Sequence, residues 1–376
     1  MTIQLTRPLR YRSLVAVLVT TLAVLVPAGT AQAGPAGPQL TVMTRNLYLG
    51  AELTGTILAP TLSAQIDANT EAWQDVLATD FRTRARALAD EIVLVRPDVV
   101  GLQEVTLWRE QRPSDIAEPG PNGEVQIGPN TPNARHVVLD FLSILRTALA
   151  ARGLPYSPVA TVVNTDAEGP VEGESGLVDV RFTDRDVILV RSTLLRNVNN
   201  SMAANYTARL RLPTPAGPVT FLRGWTSIDY GAAPGTTVRI FNTHLEVADP
   251  PFGTFQVLQG NELLALVAAS PYPVIALGDF NSRADGLGTP TYLALTTAMA
   301  DAWNAVHPSD AGYTWGQAEL LDNAAGQESI RIDLILSTEE WPVDSVVRTG
   351  STPFRQDPPP LWASDHFGVA ARYTIE

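Results

Sequence analysis

The chain has 376 residues, of which 45% are hydrophobic and 17% are charged, enough for one large core or two small ones. All 26 basic residues are arginine, and 39 acidic residues bring the net charge to −13. This balance excludes the broad basic field of a tight, non-specific nucleic-acid binder, but not a locally positive cleft that acts on phosphodiesters. The absence of cysteine excludes disulfides, thiolate metal sites and a cysteine nucleophile.

The N-terminal residues have the pattern of a secretory signal peptide. Arginines precede a short apolar run at 14–26, and an Ala-x-Ala sequence follows at 31–33. The run is too short for a comfortable membrane span. Tyr11 separates two of the arginines, so there is no twin-arginine pair and general secretion is favoured. We therefore expect cleavage after residue 33, a secreted extracellular protein, and no stable membrane insertion of the mature chain.

The remaining chain, residues 34–376, is predicted to be a single domain, because it contains no internal repeat and no mid-chain linker. Apolar strands and amphipathic helices interleave along it, and several strand pairs are joined by short turns, which predicts mixed sheets. Residues 110–133 are predicted to form a long surface loop, and residues 225–230 a hairpin-like stretch. Strands are predicted at 40–44, 98–104, 156–163, 176–182, 187–190, 219–222, 238–244, 273–278, 331–336 and 367–373, and helices at 80–95, 136–152, 255–269 and 289–299.

The strand that ends at Asp279 is the most informative of these. Five apolar residues at 273–277 predict a strand that is buried on both faces, and Gly278 ends the run. Asp279 and Asn281 follow at its tip, and in extended backbone they point to the same side. Open α/β sheets bind ligands at such strand tips. The alternative is a simple Asp-Phe-Asn turn that closes a core strand.

Other strands also end in polar residues that suit a metal-assisted hydrolase. Oxygen and imidazole groups without sulfur favour a hard divalent cation such as Mg²⁺ or Mn²⁺ over zinc. Asn46 and Asp333 each have an alternative interpretation as a structural turn residue. The polar tips, in chain order, are Asn46, Glu104, Asn242 with His244, Asp279 with Asn281, Asp333, and Asp365 with His366.

Six short motifs in this order resemble those of the endonuclease/exonuclease/phosphatase superfamily, which includes pancreatic-type DNases, abasic-site endonucleases, secreted sphingomyelinases and inositol polyphosphate phosphatases. Each motif alone is weak evidence for the family, but the six motifs together span the mature chain. The resemblance implies an α/β (α+β) four-layer sandwich of two packed mixed β-sheets flanked by helices. The motifs are Thr44-Arg45-Asn46-Leu47, Gln103-Glu104, Asn242-Thr243-His244-Leu245, Gly278-Asp279-Phe280-Asn281, Arg331-Ile332-Asp333 and Ser364-Asp365-His366.

The resemblance also implies a role for each residue. Glu104 is similar to the family's main metal-binding glutamate, with Asn46 and Asp365 close to the same Mg²⁺ or Mn²⁺. Asp279 resembles the residue that activates or aligns the attacking water, and Asn281 the one that holds a phosphate oxygen. His366 resembles the histidine that contacts the scissile phosphate, oriented by Asp333. His244 matches a second catalytic histidine of the DNase and sphingomyelinase branches.

The sequence thus predicts a secreted, metal-dependent phosphodiester hydrolase that uses water as the nucleophile. An endonuclease-type nuclease is the first hypothesis, with nucleic acid as its partner and a monomeric state. The alternatives are a sphingomyelinase-like enzyme that acts on a phospholipid head group, or a phosphatase. A strongly basic pocket, expected for inositol polyphosphates, does not fit a chain without lysine. A non-catalytic binding protein on the same scaffold predicts missing catalytic residues, and the main ones are all present.

Overall fold

The computed structural model of the protein describes residues 37–119, 125–127 and 132–375. The predicted signal peptide, residues 1–33, lies outside this part of the chain. From Gly37 onward the chain forms one compact unit. Within the described residues, no helix is both long and apolar enough to cross a membrane.

Most of the predicted strands are present, several of them longer than the sequence suggested. The strands are β1 (Gln39–Asn46), β2 (Val99–Gln103), β3 (Leu107–Gln111), β4 (Ala117–Pro119), β5 (Val125–Ile127), β6 (His136–Asp140), β7 (Tyr156–Gly173), β8 (Gly176–Arg191), β9 (Val198–Asn205), β10 (Leu210–Leu212), β11 (Val219–Phe221), β12 (Gly224–Ala233), β13 (Thr236–His244), β14 (Val274–Asp279), β15 (Ala300–Asp301), β16 (Asp333–Ser337), β17 (Val343–Thr349) and β18 (Gly368–Thr374).

The helices lie mainly in the connections between strands. They are α1 (Thr54–Ile57), α2 (Leu62–Ala78), α3 (Phe81–Val95), α4 (Phe141–Ala151), α5 (Gly253–Ala268), α6 (Thr291–Leu295) and α7 (Ala302–Val306), with a 3₁₀ helix at Ser192–Asn197.

Two large mixed sheets pack face to face, as the sequence analysis predicted. The first sheet has the order β17-β18-β1-β2-β8-β3-β6, with β7 also paired to β8. The second has the order β15-β16-β14-β13-β12-β9. The pairs β1–β2 and β13–β14 are parallel, whereas their other neighbours are antiparallel. Since parallel neighbours end at the same edge, these two pairs bring the tips of four strands to one end of the sandwich.

The three largest apolar clusters of the described residues lie between the four layers. Leu40, Val42 and Ile188 of the first sheet meet Ile240 and Leu277 of the second in the central layer. Helices α2, α3 and α4 pack on the outer face of the first sheet. Helix α5 and the short α6 cover the outer face of the second. All six residues of β14 are buried, as the apolar run at 273–277 predicted.

Several predicted elements were wrong in type or length. Residues 136–140 form strand β6 instead of the first turns of a helix, because their Val-Val-Leu run pairs with β3 and the helix begins only at Phe141. Residues 225–230 lie within the single strand β12, so they are not a hairpin. The predicted helix at 289–299 shortens to α6. The predicted loop at 110–133 contains the antiparallel pair β4–β5.

Helix α2 was not predicted, although its start carries a recognisable signal. Thr61 follows Pro60, adopts extended backbone and accepts a hydrogen bond from the Ala64 amide at 3.2 Å, as an N-cap residue does. Trp73 and Val76 of this helix are buried against the first sheet.

Gly101 tests how closely the two sheets approach each other. A Cβ atom at this position would lie 2.1 Å from Leu277 Cδ1 and 2.5 Å from Asn242 Oδ1, on the opposite sheet. We expect Gly101→Ala to lower the free energy of unfolding by about 1–3 kcal/mol through overpacking, measured by urea denaturation. Gly231→Ala is the matched control, because its nearest neighbour would be at an ordinary 3.6 Å. Equal stability of the two variants would contradict this close approach.

Candidate active site

The side chain of Asn46 connects the two sheets at the end where the strand tips meet. Its Nδ2 donates to Glu104 Oε1 and to Asp279 Oδ2, both at 3.0 Å. Its Oδ1 accepts from the Tyr48 amide at 2.8 Å. In this orientation Asn46 holds two carboxylates in place and does not turn its own oxygen toward them.

Glu104 lies just beyond β2 in a strained backbone conformation. Its φ is 55°, in the left-handed region that residues other than glycine rarely occupy. This turn points its carboxylate back over the strand tips, where Oε2 accepts from the Leu49 amide at 2.6 Å. Burial, followed by the negative charge of Asp365, raises the pKa of Glu104 to about 7.

His366 is held by a buried carboxylate. Its Nδ1 donates to Asp333 Oδ2 at 2.8 Å, so Nε2 is left facing Asp279 Oδ2 at 3.7 Å. Burial alone would lower the pKa of this imidazole, but the carboxylates of Asp333, Asp365 and Asp279 outweigh it and raise the pKa to about 10. His366 is therefore a positively charged hydrogen-bond donor at neutral pH.

Asp279 lies between the two histidines. Its Oδ1 accepts from the Asn281 amide at 2.9 Å, and its Oδ2 lies 3.5 Å from His244 Nε2. Burial raises its pKa to about 6, against the opposing effect of His366. Asp279 can therefore both accept a proton and exist as a carboxylate near neutral pH. The strand reaches this position because Gly278 passes so close to Thr243 that a Cβ would lie 2.0 Å from the Thr243 carbonyl oxygen.

His244 differs from His366 in charge. Arg223 Nη1 lies 3.1 Å from its Nδ1 and 3.2 Å from its Nε2. Burial, followed by the charge of Arg223, holds the pKa of His244 well below its ordinary value. Of the two histidines, His366 is therefore the one whose surroundings favour the protonated form.

The remaining predicted residues complete the same region. Asn281 has a φ of 49°, and its Nδ2 contacts His244 Nε2 at 3.1 Å and donates to the Leu245 carbonyl at 2.9 Å. Asp365 Oδ2 accepts from Trp315 Nε1 at 3.3 Å. The chain bends between Asp365 and His366, so these adjacent side chains both reach the cleft.

All eight predicted site residues therefore lie at one end of the sandwich, around a cleft of about 260 Å³. Glu104, His244, Asp279, Asn281, Asp365 and His366 line the cleft, whereas Asn46 and Asp333 lie behind it and orient residues that do. Asn242 is not part of the site. Its side chain lies between the sheets, where Oδ1 accepts from Gln103 Nε2 at 2.6 Å.

Two buried arginines fix the loops that carry these side chains. Arg84 donates to the carbonyl oxygens of Leu47 (2.7 Å), Tyr48 (3.0 Å) and Ala363 (3.0 Å), which joins the segment after β1 to the one before His366. Arg45 donates to the His366 carbonyl at 2.5 Å and pairs with Glu91 at 3.0 Å. These contacts satisfy loop carbonyls that would otherwise be buried without partners.

The residues present fit a divalent cation. Glu104 and Asp365 are close enough for Asp365 to raise the pKa of Glu104, a repulsion that a bound cation would relieve. Asp279, Asp333 and His366 also offer ligand atoms that lie within 4.8 Å of one another. Because the donors are mainly carboxylate oxygens, a hard ion fits better than a soft one.

Sequence reasoning missed several charged residues of the site. Arg223 lines the cleft and pairs with Glu246 at 3.1 Å, and Asp184 and Asp186 both accept from Asn164, at 3.1 and 2.8 Å. Arg223 immediately precedes Gly224, which pairs with His244 in the sheet. Only knowledge of that register would have placed Arg223 beside the histidine.

Comparisons with known proteins agree with this architecture. A family model described as "Endonuclease/Exonuclease/phosphatase family" matches residues 73–366. No curated protein sequence matches the chain significantly.

Solved structures resemble the chain at low sequence identity. An endonuclease/exonuclease/phosphatase family protein from Bacteroides thetaiotaomicron is 14% identical, with 90% of this chain and 99% of that one covered and a TM-score of 0.53. A family protein from Leptotrichia buccalis is 14% identical, with 89% and 100% covered and a TM-score of 0.51. A mannosyl-6-phosphatase of B. thetaiotaomicron is also 14% identical, with 89% and 100% covered and a TM-score of 0.50. At these identities the likeness shows the fold.

The contact between Asp333 and His366 gives a direct test of the site's electrostatics. The pKa of His366, raised to about 10, should fall toward its ordinary value in Asp333→Asn, because burial then loses its main opposing charge while Asp365 and Asp279 remain. NMR titration of the imidazole protons in chelator-treated protein measures this shift, with His366→Gln for assignment. In the wild type, the stability that protonation contributes should be fully present below pH ~6.5 and lost as the pH rises through about 10.

Asp285→Asn, an exposed carboxylate that pairs with Arg283, is the control and should leave the His366 titration unchanged. An unchanged pKa of His366 in Asp333→Asn would show that the 2.8 Å contact does not set its charge.

Proposed function

Since this chain belongs to the endonuclease/exonuclease/phosphatase family, whose members are phosphoester hydrolases, we propose that it cleaves phosphodiesters by attack of water on phosphorus, with nucleic acid as the first candidate substrate. The observation that carries this proposal is the arrangement around Asp279. This carboxylate lies between Asn46, His244 and His366, at the wall of a cleft that is open to substrate.

Asp279 is the residue placed to handle the attacking water. Its Oδ1 is held by the Asn281 amide and its Oδ2 by Asn46, so the carboxylate cannot rotate freely. A pKa of about 6 leaves it largely ionised at neutral pH and still basic enough to accept a proton. General-base catalysis of this kind contributes about 10²–10⁴-fold to a rate.

His366 and Asn281 are placed to stabilise the charge that develops on phosphate oxygens. His366 is protonated, and Asp333 fixes its ring so that the Nε2–H points into the cleft. A preorganised donor of this kind contributes about 3–4 kcal/mol to transition-state stabilisation. Neutral His244, next to Arg223, adds a polar group on the opposite side of Asp279.

We propose that Glu104 and Asp365 hold a Mg²⁺ or Mn²⁺ ion, with Asn46 keeping Glu104 in position. When bound, such a cation supplies positive charge to the phosphate oxygens and the leaving oxygen. The chain itself contributes the carboxylate pair, the Leu49 amide that orients Glu104, and the Trp315 indole that orients Asp365.

Two features support nucleic acid as the substrate and an extracellular site of action. Trp315 lies at the cleft with 39% of its surface exposed, so it offers a face on which a base can stack. The N-terminal sequence at 1–33 supports export, in which case the enzyme would act on nucleic acid outside the cell. The net charge of −13 favours brief contacts with such a polyanion over tight binding.

A second candidate, hydrolysis of a lipid phosphodiester, is favoured by one observation. An apolar pocket of about 110 Å³ adjoins the cleft and shares Leu53, Ile57, Phe182 and Phe221 with it. Trp73 and Trp108 form its inner wall. A phosphodiester bound in the cleft could place an apolar group in this pocket, and a nucleic acid makes no obvious use of it.

Asp279→Asn tests the proposed chemistry. We expect hydrolysis of plasmid DNA or of a chromogenic phosphodiester to fall by about 10²–10⁴-fold, because the amide cannot accept the proton. Chelation should abolish the wild-type activity, and added Mg²⁺ or Mn²⁺ should restore it. Asp285→Asn, purified identically, is the control for the loss of an exposed carboxylate. Activity of Asp279→Asn within tenfold of the wild type would refute the assignment.

Ala167→Trp separates the two substrate candidates. Ala167 lines the apolar pocket but not the cleft, so a larger side chain should fill the pocket and leave the catalytic residues in place. For a lipid phosphodiesterase, KM for short-chain sphingomyelin should rise about tenfold or more, the effect of losing a few buried methylene groups. For a nuclease, hydrolysis of plasmid DNA and RNA should be unchanged. Ala204→Trp, at an exposed position of β9, is the matched control.

A further inference from the structure

A second group of carboxylates lies outside the cleft, where the segment after β3 crosses strands β7 and β8. Asp115, Glu168 and Asp179 each offer one oxygen, and these oxygens lie within 4.8 Å of one another. Asp115 belongs to the crossing segment, Glu168 to β7 and Asp179 to β8. The group therefore joins three separate stretches of chain.

Hydrogen bonds hold these carboxylates in fixed orientations. Asp179 Oδ1 accepts from Ser114 Oγ at 2.5 Å, and its Oδ2 accepts from the Asp115 amide at 2.7 Å. Glu168 Oε2 accepts from the amides of Asn133 and Ala134, at 2.6 and 2.9 Å. Asp115 Oδ2 accepts from Asn133 Nδ2 at 2.7 Å, so backbone amides and neighbouring side chains together hold the three carboxylates in place.

Two of the six carboxylate oxygens in this cluster have no hydrogen-bond partner. Glu168 is only 6% exposed and its Oε1 is buried without a partner, and so is Oδ1 of Asp115. Buried carboxylate oxygens without a partner are costly, and they are rare unless an ion or water occupies the space beside them. Two such atoms in one acidic cluster indicate a missing ligand of positive charge.

The neighbouring arginines do not supply this charge. Arg181 acts electrostatically on Glu168, but its guanidinium is bound to Asp166 through Nε at 2.8 Å and Nη2 at 2.5 Å. Arg109 also acts electrostatically on Glu168, but its Nη2 lies 3.7 Å from Oδ1 of the same Asp166. Among the described residues, both arginines thus pair with Asp166 and neither forms an ion pair with the three carboxylates of the cluster.

We propose that Asp115, Glu168 and Asp179 bind a calcium ion. Calcium takes oxygen ligands at about 2.3–2.6 Å in flexible geometry, so oxygens up to ~5 Å apart can share one ion. Magnesium requires bonds of about 2.0–2.1 Å in a nearly ideal octahedron, which fits this spacing less well. An exported protein, as the N-terminal sequence predicts, would meet calcium at a concentration that fills such a site.

The ion would fasten the segment that follows β3 to the β7–β8 ribbon. Without it, the mutual repulsion of three carboxylates opposes this packing. Calcium binding should therefore raise the melting temperature, independently of any ion in the catalytic cleft.

Glu168→Gln tests the proposal by metal content and by stability. After dialysis against about 1 mM calcium, within the range that fills extracellular calcium modules, elemental analysis should find one ion fewer per chain in this variant than in the wild type. Calcium should raise the wild-type melting temperature by about 2 °C or more and leave that of the variant unchanged. Glu172→Gln, an exposed glutamate on the same strand, should behave like the wild type. Glu104→Gln should still bind the calcium ion of the Asp115–Glu168–Asp179 cluster. This result would distinguish that ion from any ion in the cleft.

If Glu168→Gln does not fold, Asp115→Asn replaces it in the same measurements, because the Asp115 side chain is only partly buried. Equal calcium content in the wild type and the folded variant overturns the proposal. The proposal is also overturned if Glu104→Gln loses all of the calcium that the wild type binds, because the wild type would then bind calcium only in the cleft. A proton shared among the three carboxylates would in that case account for the cluster.

Discussion

The carboxamide of Asn46 joins the two sheets at the point where the candidate chemistry takes place. Asn46 is the last residue of β1 in the first sheet. Its two N–H groups donate to Glu104, which lies just after β2, and to Asp279, at the end of β14 in the second sheet. Two buried carboxylates with raised pKa values would repel each other if they were unsupported. The Asn46 amide, which both carboxylates share as a donor, holds them in place. The other side chains of the site lie around this pair.

The two histidines show how position within the same cleft determines charge. His366 has Asp333 at its Nδ1 and Asp279 beyond its Nε2, so acidic groups surround it on both sides. His244 has Arg223 against its ring, and Arg223 is in turn held by Glu246. Equal burial therefore gives one cation and one neutral base. The charged groups packed against each ring, and not its burial, therefore determine which histidine is protonated.

The sequence was sufficient to predict which polar side chains come together at one end of the sandwich, because these residues lie at strand tips. Asp279 and Asn281 follow a run of apolar residues that can only be a buried strand, and the same logic applied to Glu104 and His244. The fold class followed from the order of the motifs. The roles that the family resemblance assigned to these residues stay predictions, although their side chains lie around one cleft.

What the sequence could not give depends on contacts between distant segments. Residues 136–140 form a strand because they pair with β3, and nothing in the local sequence indicates that β3 is their partner. Arg223 and Asp184 became part of the site through strand register, which a sequence without known pairings does not fix. Asn242 resembled a site residue, but it lies two residues before His244 on β13, and its side chain contacts Gln103 between the sheets.

The position of β18 in the first sheet has a consequence for how the protein is made. This strand inserts between β17 and β1, and Gln39 of β1 pairs with Thr374. During synthesis, the edge of β1 that pairs with β18 stays open until β18 has left the ribosome, and His366 lies just before this strand in the chain. Such non-local pairing makes folding slow, because a large loop must close first. The side chains that line the cleft can therefore come together only after this region has been translated, because Asp365 and His366 are among them.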